Sequence, residues 1–480
     1  MPLRLFNTLT NEKQDFVPLR PGRVGLYVCG ITVYDLSHIG HARMLTAFDV
    51  AVRALRWTGW QVAYVRNWTD IDDKIIRRAQ ERGEEPRQLA ERYIEEGRRD
   101  MRALNILPAD VEPKATEHIP EMLELIGKLV ERGHAYPVGG DVYFAVRSFP
   151  HYGKLSKRNL DDLLSGARVE PGDLKRDPLD FALWKATKPG EPQSVSWESP
   201  WGPGRPGWHI ECSAMCQKYL GTTFDLHGGG KDLVFPHHEN EIAQSEAASG
   251  QELARCWLHN GFVTMDAEKM SKSLGNFKTI RDLLQHWDGE ALRAFLLSTH
   301  YRHPISFAES AVADADRRVE YFYETLAKAD GYLAQKKYLS GEPRMVDEHA
   351  QAFRDALEDD LNTAEAMARV ERVYGLLNAR IDAKAPPDEV AALLYTARTL
   401  SQVLGLAPRT PQDAIRERRT LAASRKGIDP HWVEERIAAR IAARKAKDFA
   451  KADAIRAEVA GKGVEMRDGP SGTDWRVLPG

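Results

Sequence analysis

An apolar run from Val24 to Val28 leads, a few residues on, into Ser37-His38-Ile39-Gly40-His41, and then into a helical pattern from Ala42 to about Trp57. A strand that feeds a helix through a glycine turn constrains the fold more than any other feature of the chain. It sets the turn at a helix N-terminus, where free N–H donors and a partial positive charge favour phosphate. Gly40 lets a ligand approach the backbone, and the imidazoles of His38 and His41 can hydrogen-bond phosphate oxygens as charge builds there. Far downstream, Lys269-Met270-Ser271-Lys272-Ser273 sets two ammonium groups three residues apart beside Gly275 and reads as a loop. Neither segment suffices alone; together they suit the triphosphate of one ATP.

Alternating strand and helix patterns from about 22 to 105 predict half of a parallel sheet with crossover helices. Residues of about 115 to 205 break that pattern. They hold a helix from His118 to Arg132, a hairpin signal at Tyr136-Pro137-Val138-Gly139-Gly140-Asp141-Val142-Tyr143, and a Pro- and Gly-rich stretch ending at Pro206. The second half resumes near Gly207, and long helices follow from about Phe307 to Leu404.

The chain has four cysteines, Cys29, Cys212, Cys216 and Cys256, too few and too scattered for a disulfide framework in 480 residues. Cys29 ends the first strand, and Cys212 lies near the start of a helical stretch. His237 and Glu241 are four apart on one helix face. Two thiolates, an imidazole and a carboxylate form a set that prefers zinc to magnesium or calcium. Without a paired Cys-x-x-Cys knuckle, spacing leaves a second reading open: the cysteines as small buried hydrophobes, and His237 with Glu241 as a helix-surface pair.

No apolar run is long enough to span a bilayer, although 42% of residues are hydrophobic, and Met1-Pro2-Leu3-Arg4-Leu5-Phe6 lacks the basic and apolar regions of a signal peptide. A cytoplasmic protein with no membrane partner is expected.

The segments His38 to His41 and Lys269 to Ser273 match, letter for letter, the two signatures of class I aminoacyl-tRNA synthetases, and the chain resembles that class. Tyr27 to Asp35, Gly207 to Ser213, and Asp225-Leu226-His227-Gly228-Gly229-Gly230 through Glu246 resemble the cysteinyl-tRNA synthetase family in particular. The resemblance implies an α/β fold: a Rossmann-like catalytic domain in two halves, residues 1–114 and 207–306, separated by an insertion at 115–206. An α-helical bundle at 307–407 and a small C-terminal α+β anticodon-recognition region at 408–480 would follow. It implies His38, His41, Lys269 and Lys272 as catalytic groups, with Gly40, Gly229, Met270, Ser271 and Ser273 completing the ATP site. It further implies one zinc held by Cys29, Cys212, His237 and Glu241, Thr69 and Trp208 lining the amino-acid pocket, and magnesium carried with ATP. The implied partners are ATP, L-cysteine and tRNA(Cys), and no dimerisation stripe stands out, so a monomer is expected. A ligase joining cysteine to an amino-sugar would share the catalytic half but would not need the long C-terminal parts. A non-enzymatic descendant would be expected to lose a motif residue or zinc ligand, and all are present.

The metal makes chemical sense. Serine differs from cysteine by one atom and is slightly smaller, so pocket shape discriminates weakly. A thiol of pKa about 8.5 loses its proton readily on coordination, whereas an alcohol is a far poorer ligand.

From Pro411 to Gly480 there are 15 Lys and Arg against 11 Asp and Glu, a net of +4, while the remainder of the chain carries −7. Helical patterns at Trp432 to Lys447 and Phe449 to Ala460 precede a hairpin-like Gly463 to Val477. Trp475 beside Arg476 there is expected to give unpaired anticodon bases a stacking platform.

Overall fold

A computed structural model of the chain describes residues 2–160, 174–265, 268–269, 278–338, 344–469 and 472–478. At its centre four parallel strands lie in the order Ala254–Asn260, Phe224–Gly230, Arg23–Thr32, Gln61–Thr69. The middle pair comes from opposite halves of the chain, and there the strand order reverses. Ligands of such sheets bind beyond the carboxyl ends of the strands at that point.

Successive strand residues face opposite sides of a sheet. Leu26 and Val28 therefore join one core with the helix Ile39–Trp57 and the C-terminal helices. Tyr27 and Cys29 join the other, with Cys212 and Trp257. This parity decides which face receives the Cys29 thiol. The pairing of the first strand with Gln61–Thr69 shifts register between Val28 and Ile31, next to the site, as bulges often do. Gly30 is required in that bulge, because an added Cβ would fall 1.6 Å from the Asn67 carbonyl oxygen.

The expected hairpin of the insertion forms from Ala135–Val138 and Asp141–Phe144, extended by Phe181–Ala186 and Gly204–Pro206 into an antiparallel sheet. Its turn uses Gly139 and Gly140 at φ of 61° and 91°, a region other residues avoid. The run Gly228-Gly229-Gly230 belongs to the strand Phe224–Gly230. It is the last part of the strand, paired with Leu258, His259 and Asn260.

Helices Glu309–Gln335, Asp347–Glu358, Thr363–Asp382 and Pro387–Val403 form the bundle. A fully buried guanidinium locks it to the parallel-sheet part of the chain: Arg293 donates to the carbonyls of Leu104 at 3.1 Å and Leu404 at 2.7 Å and pairs with Asp49. Among the described residues, no helix is long and apolar enough to cross a membrane.

The C-terminal region consists of helices Pro411–Arg425, Pro430–Lys445 and Phe449–Gly461 and the hairpin Val464–Gly469 with Gly472–Val477. Here the expectation for Trp475 fails. The residue is 4% exposed and sits in the core formed by Ala423, Val433, Val459, Val464 and Met466. A two-stranded hairpin is not stable by itself, so its apolar face packs on the helices, and Trp475, paired across from Met466, lies on that face. The exposed aromatic of this region is Phe449, at 62%.

Candidate active site and metal centre

The four donors proposed from the sequence converge at the switch point. Cys29 comes from the bulge of the first strand, Cys212 from the helix Trp208–Leu220, and Glu241 from the first turn of the helix Glu239–Ser249. His237 lies in the turn just ahead of that last helix, outside it. Their ligand atoms all lie within 4.8 Å of one another, and all four residues are buried. Cys29 Sγ is 3.7 Å from Cys212 Sγ and 3.3 Å from Glu241 Oε1, and His237 Nε2 is 3.1 Å from the same oxygen. Two sulfurs held by one tetrahedral zinc would lie ~3.8 Å apart. The cluster therefore fits such an ion in donor type and in spacing.

Its protonation suits a metal as well. Burial pushes the His237 imidazole down to about 3, so it presents a neutral lone pair. Burial, then the nearby Cys212 and Glu241, pushes the Cys29 thiol up, so metal binding must displace a proton from it. Burial alone would raise the Glu241 carboxyl, but His227, with Nε2 2.8 Å from Oε2, holds it below its ordinary value. On the other side, His237 Nδ1 is 3.0 Å from His209 Nδ1. The half-buried His209, itself pushed down to about 3 by desolvation, is neutral and can accept there, which leaves His237 Nε2 facing the cluster.

Sequence reasoning missed His209 and His227 although both lay inside the segments it used; a histidine next to each ligand-bearing segment was the available signal. It also missed Asn67, whose Oδ1 accepts from the Gly30 N–H at 2.8 Å and lies 3.8 Å from Cys212 Sγ. Thr69 ends the neighbouring strand, 2% exposed, with its hydroxyl 3.3 Å from Asn67 Nδ2. The half-buried Trp208 stacks on His237 with ring centroids 4.2 Å apart. Trp208 thus touches the cluster directly, and Thr69 is joined to it through Asn67. Beyond them, Asp72 caps the helix Asp73–Arg82, and Asp70 accepts hydrogen bonds from Thr116.

The histidine turn at the start of the helix Ile39–Trp57 has an unusual cap. His38 Nδ1 accepts from the Gly40 N–H at 3.1 Å, and His41 Nδ1 accepts from the His38 N–H at 3.2 Å. The rings stack with centroids 3.8 Å apart. With both Nδ1 atoms engaged as acceptors, each neutral ring carries its proton on Nε2, the atom able to donate outward. Gly229 packs under His238, whose ring lies 2.8 Å from where a Cβ would sit, so its small size has a packing reason.

Of the lysine segment, only the backbone of Lys269 is described, in the strand Glu268–Lys269 paired with Thr264 and Met265; its side chain and Met270, Ser271, Lys272 and Ser273 lie outside the described residues. The chain directly after them is fixed to the histidine turn. Ile39 N–H donates to the Lys278 carbonyl at 3.1 Å, and Ile280 N–H donates to the Ser37 carbonyl at 2.8 Å. Thr279 also caps the helix Ile280–Leu284. Two segments remote in sequence thus meet side by side.

Solved synthetases share this architecture. Mycobacterium tuberculosis methionyl-tRNA synthetase bound by methionyl-adenylate superposes with a TM-score of 0.58 at 16% identity, over 85% of this chain and 95% of that one. The LeuRS of Agrobacterium radiobacter K84, in a ternary complex with tRNA and LeuAMS, gives 0.57 at 13% identity, over 83% and 87%. The family model for the class I (C) tRNA synthetase catalytic domain matches residues 15–317, and a DALR domain matches residues 352–408. Fold and catalytic domain are those of a class I tRNA synthetase. Cysteine–tRNA ligases of Anaeromyxobacter sp. (strain K) and Nitratidesulfovibrio vulgaris (strain Miyazaki F) are 56% and 54% identical, each over 99% of this chain and 100% of the relative. The chain belongs to the cysteine–tRNA ligase family of enzymes.

Proposed function

We propose that the chain activates L-cysteine with ATP and transfers the cysteinyl group to the 3′-terminal ribose of tRNA(Cys), as a cytoplasmic monomer with one zinc per chain. The observation that carries this reading is the buried convergence of Cys29, Cys212, His237 and Glu241 at the switch point, on the same sheet edge as the histidine turn. Zinc bound there would supply a preference for a deprotonated thiol over an alcohol. Magnesium would enter with ATP.

In the first step the cysteine carboxylate attacks the α-phosphate, and pyrophosphate leaves. In the second a ribose hydroxyl of the tRNA attacks the acyl carbon, and AMP leaves. The protein's share is positioning and charge stabilisation. His38 and His41 donate from Nε2 to phosphate oxygens, Gly40 and Gly229 let the nucleotide lie against the backbone, and Lys269 and Lys272 neutralise the departing pyrophosphate, with Met270, Ser271 and Ser273 completing their segment. Thr69 and Trp208 bound the space beside the metal donors and orient the amino acid. For the tRNA, the role first given to Trp475 passes to Phe449, which is exposed and is followed by Lys451 and preceded by Lys445 and Lys447, all exposed.

ATP–pyrophosphate exchange run with each amino acid tests the reading. Exchange should depend on cysteine alone, and the protein should contain about one zinc per chain, as a mononuclear site requires. Equal exchange with serine, or full cysteine-dependent exchange in metal-free protein, would overturn it.

A further inference from the structure

A groove of about 200 Å³ is lined by Tyr34, Asp35, Lys74, Arg77, Arg78 and Glu81. It is separate from the metal cluster yet close to both reacting segments in sequence. Tyr34 precedes His38 by four residues, and Lys74 follows Thr69 by five. At ~3.5 Å per residue at most, the groove lies within ~18 Å of each. The strands that carry these segments, Arg23–Thr32 and Gln61–Thr69, are neighbours with their carboxyl ends on the same edge.

The lining is unevenly neutralised. Arg78 is held by Asp35 and Glu81, each at 3.3 Å. Neither Lys74 nor Arg77 has a carboxylate at ion-pair distance among the described residues, and both are exposed. Lys74 Nζ is 5.6 Å from the Tyr34 ring centroid, so one cation and one aromatic ring share the same wall. Cations not held in an ion pair, beside an aromatic ring, are what unpaired nucleotides require: phosphates take the charges, and a base takes the ring face. A small metabolite with a single phosphate would use only part of this wall.

We propose that this groove receives the unpaired 3′-terminal nucleotides of the tRNA, with Lys74 and Arg77 on backbone phosphates and Tyr34 under a base. The inference rests on the proposed tRNA-charging function and adds the path by which the acceptor end reaches the adenylate. A base lying over Tyr34 displaces the Lys74 ammonium from the ring onto the adjoining phosphate, so one movement serves both contacts.

The full-length zinc protein, the Lys74→Ala/Arg77→Ala double variant, and the Tyr34→Ala and Tyr34→Phe variants decide the matter. Each is measured for cysteine-dependent exchange and for binding to an intact tRNA(Cys) transcript and to one trimmed of its unpaired 3′ nucleotides. The double variant should bind intact tRNA roughly tenfold more weakly, with the salt slope of binding reduced by about 1.4 for two single-strand phosphates. It should bind the trimmed transcript like the wild type and exchange at the wild-type rate. Tyr34→Ala should behave similarly, and Tyr34→Phe should restore binding, because stacking needs the ring and not the hydroxyl. Unchanged binding of intact tRNA, an equal loss on trimmed tRNA, or slowed exchange would overturn the assignment, the last by giving the groove to the nucleotide. A wild-type protein with no cysteine-dependent exchange would instead refute the underlying function.

Discussion

The metal cluster and the C-terminal hairpin are both buried, and they are built in opposite ways. Cys29, Cys212, His237 and Glu241 come from remote segments and bring polar atoms into the interior, where each finds a partner: His227 for Glu241, His209 for His237. Trp475 and Met466 come from adjacent strands of one hairpin and fill a local apolar core. Burying a charge or a polar group costs free energy unless it is paired, whereas burying an indole is favourable without further help. Buried polar clusters therefore point to chemistry. A buried aromatic in a small appended region points first to packing, and the exposed ring of this region is Phe449.

Substitutions can break or sharpen that contrast. The largest effect is expected from Cys212→Ser, which should remove zinc and abolish cysteine-dependent exchange while leaving ATP affinity nearly unchanged, as metal analysis and nucleotide titration would show. Normal exchange without metal would place Cys212 with the packing residues. Next, Trp475→Ala should destabilise the C-terminal region by about 3–5 kcal/mol, the usual cost of emptying a large buried aromatic site, read as early loss of amide protection in residues 411–477 with the catalytic half unaffected. If stability holds and only tRNA binding falls, the tryptophan is a contact after all.

His209→Ala should weaken zinc affinity by roughly 10–100-fold, the range for a residue that orients a metal ligand, as chelator competition would measure. A small effect would show that Trp208, stacked on the same ring, is enough to hold His237. The smallest change should come from Phe449→Ala, weakening tRNA binding by about 1–3 kcal/mol if one base stacks there, with unchanged thermal stability. Its effect should vanish with a tRNA that lacks the anticodon arm, and persistence on that shortened tRNA would remove Phe449 from the anticodon.

The local elements of this protein were legible in its sequence because their patterns are short in period. The apolar run before His38, the helix from Ile39 to Trp57, the hairpin turned by Gly139-Gly140 and the two helices before the terminal hairpin all follow from residues within one or two turns of each other. So did the donor types at Cys29, Cys212, His237 and Glu241, since thiol, imidazole and carboxylate carry their chemistry wherever they sit. The supporting residues were hidden for a reason of distance: Asn67 matters only because a bulge brings Gly30 against its backbone, and His227 only because parallel register sets it beside Tyr27.

Sequence by itself determined the alternation of strands and helices, the absence of a disulfide framework and the kinds of group available for catalysis. Only the tertiary structure decided that Cys29 faces Cys212, that Lys278 and Ile280 are hydrogen-bonded to the histidine turn, and that Trp475 points inward. Those outcomes depend on strand parity, register and the covering of apolar faces. They are settled by packing and pairing between separate elements, and the pattern within one element carries no record of them.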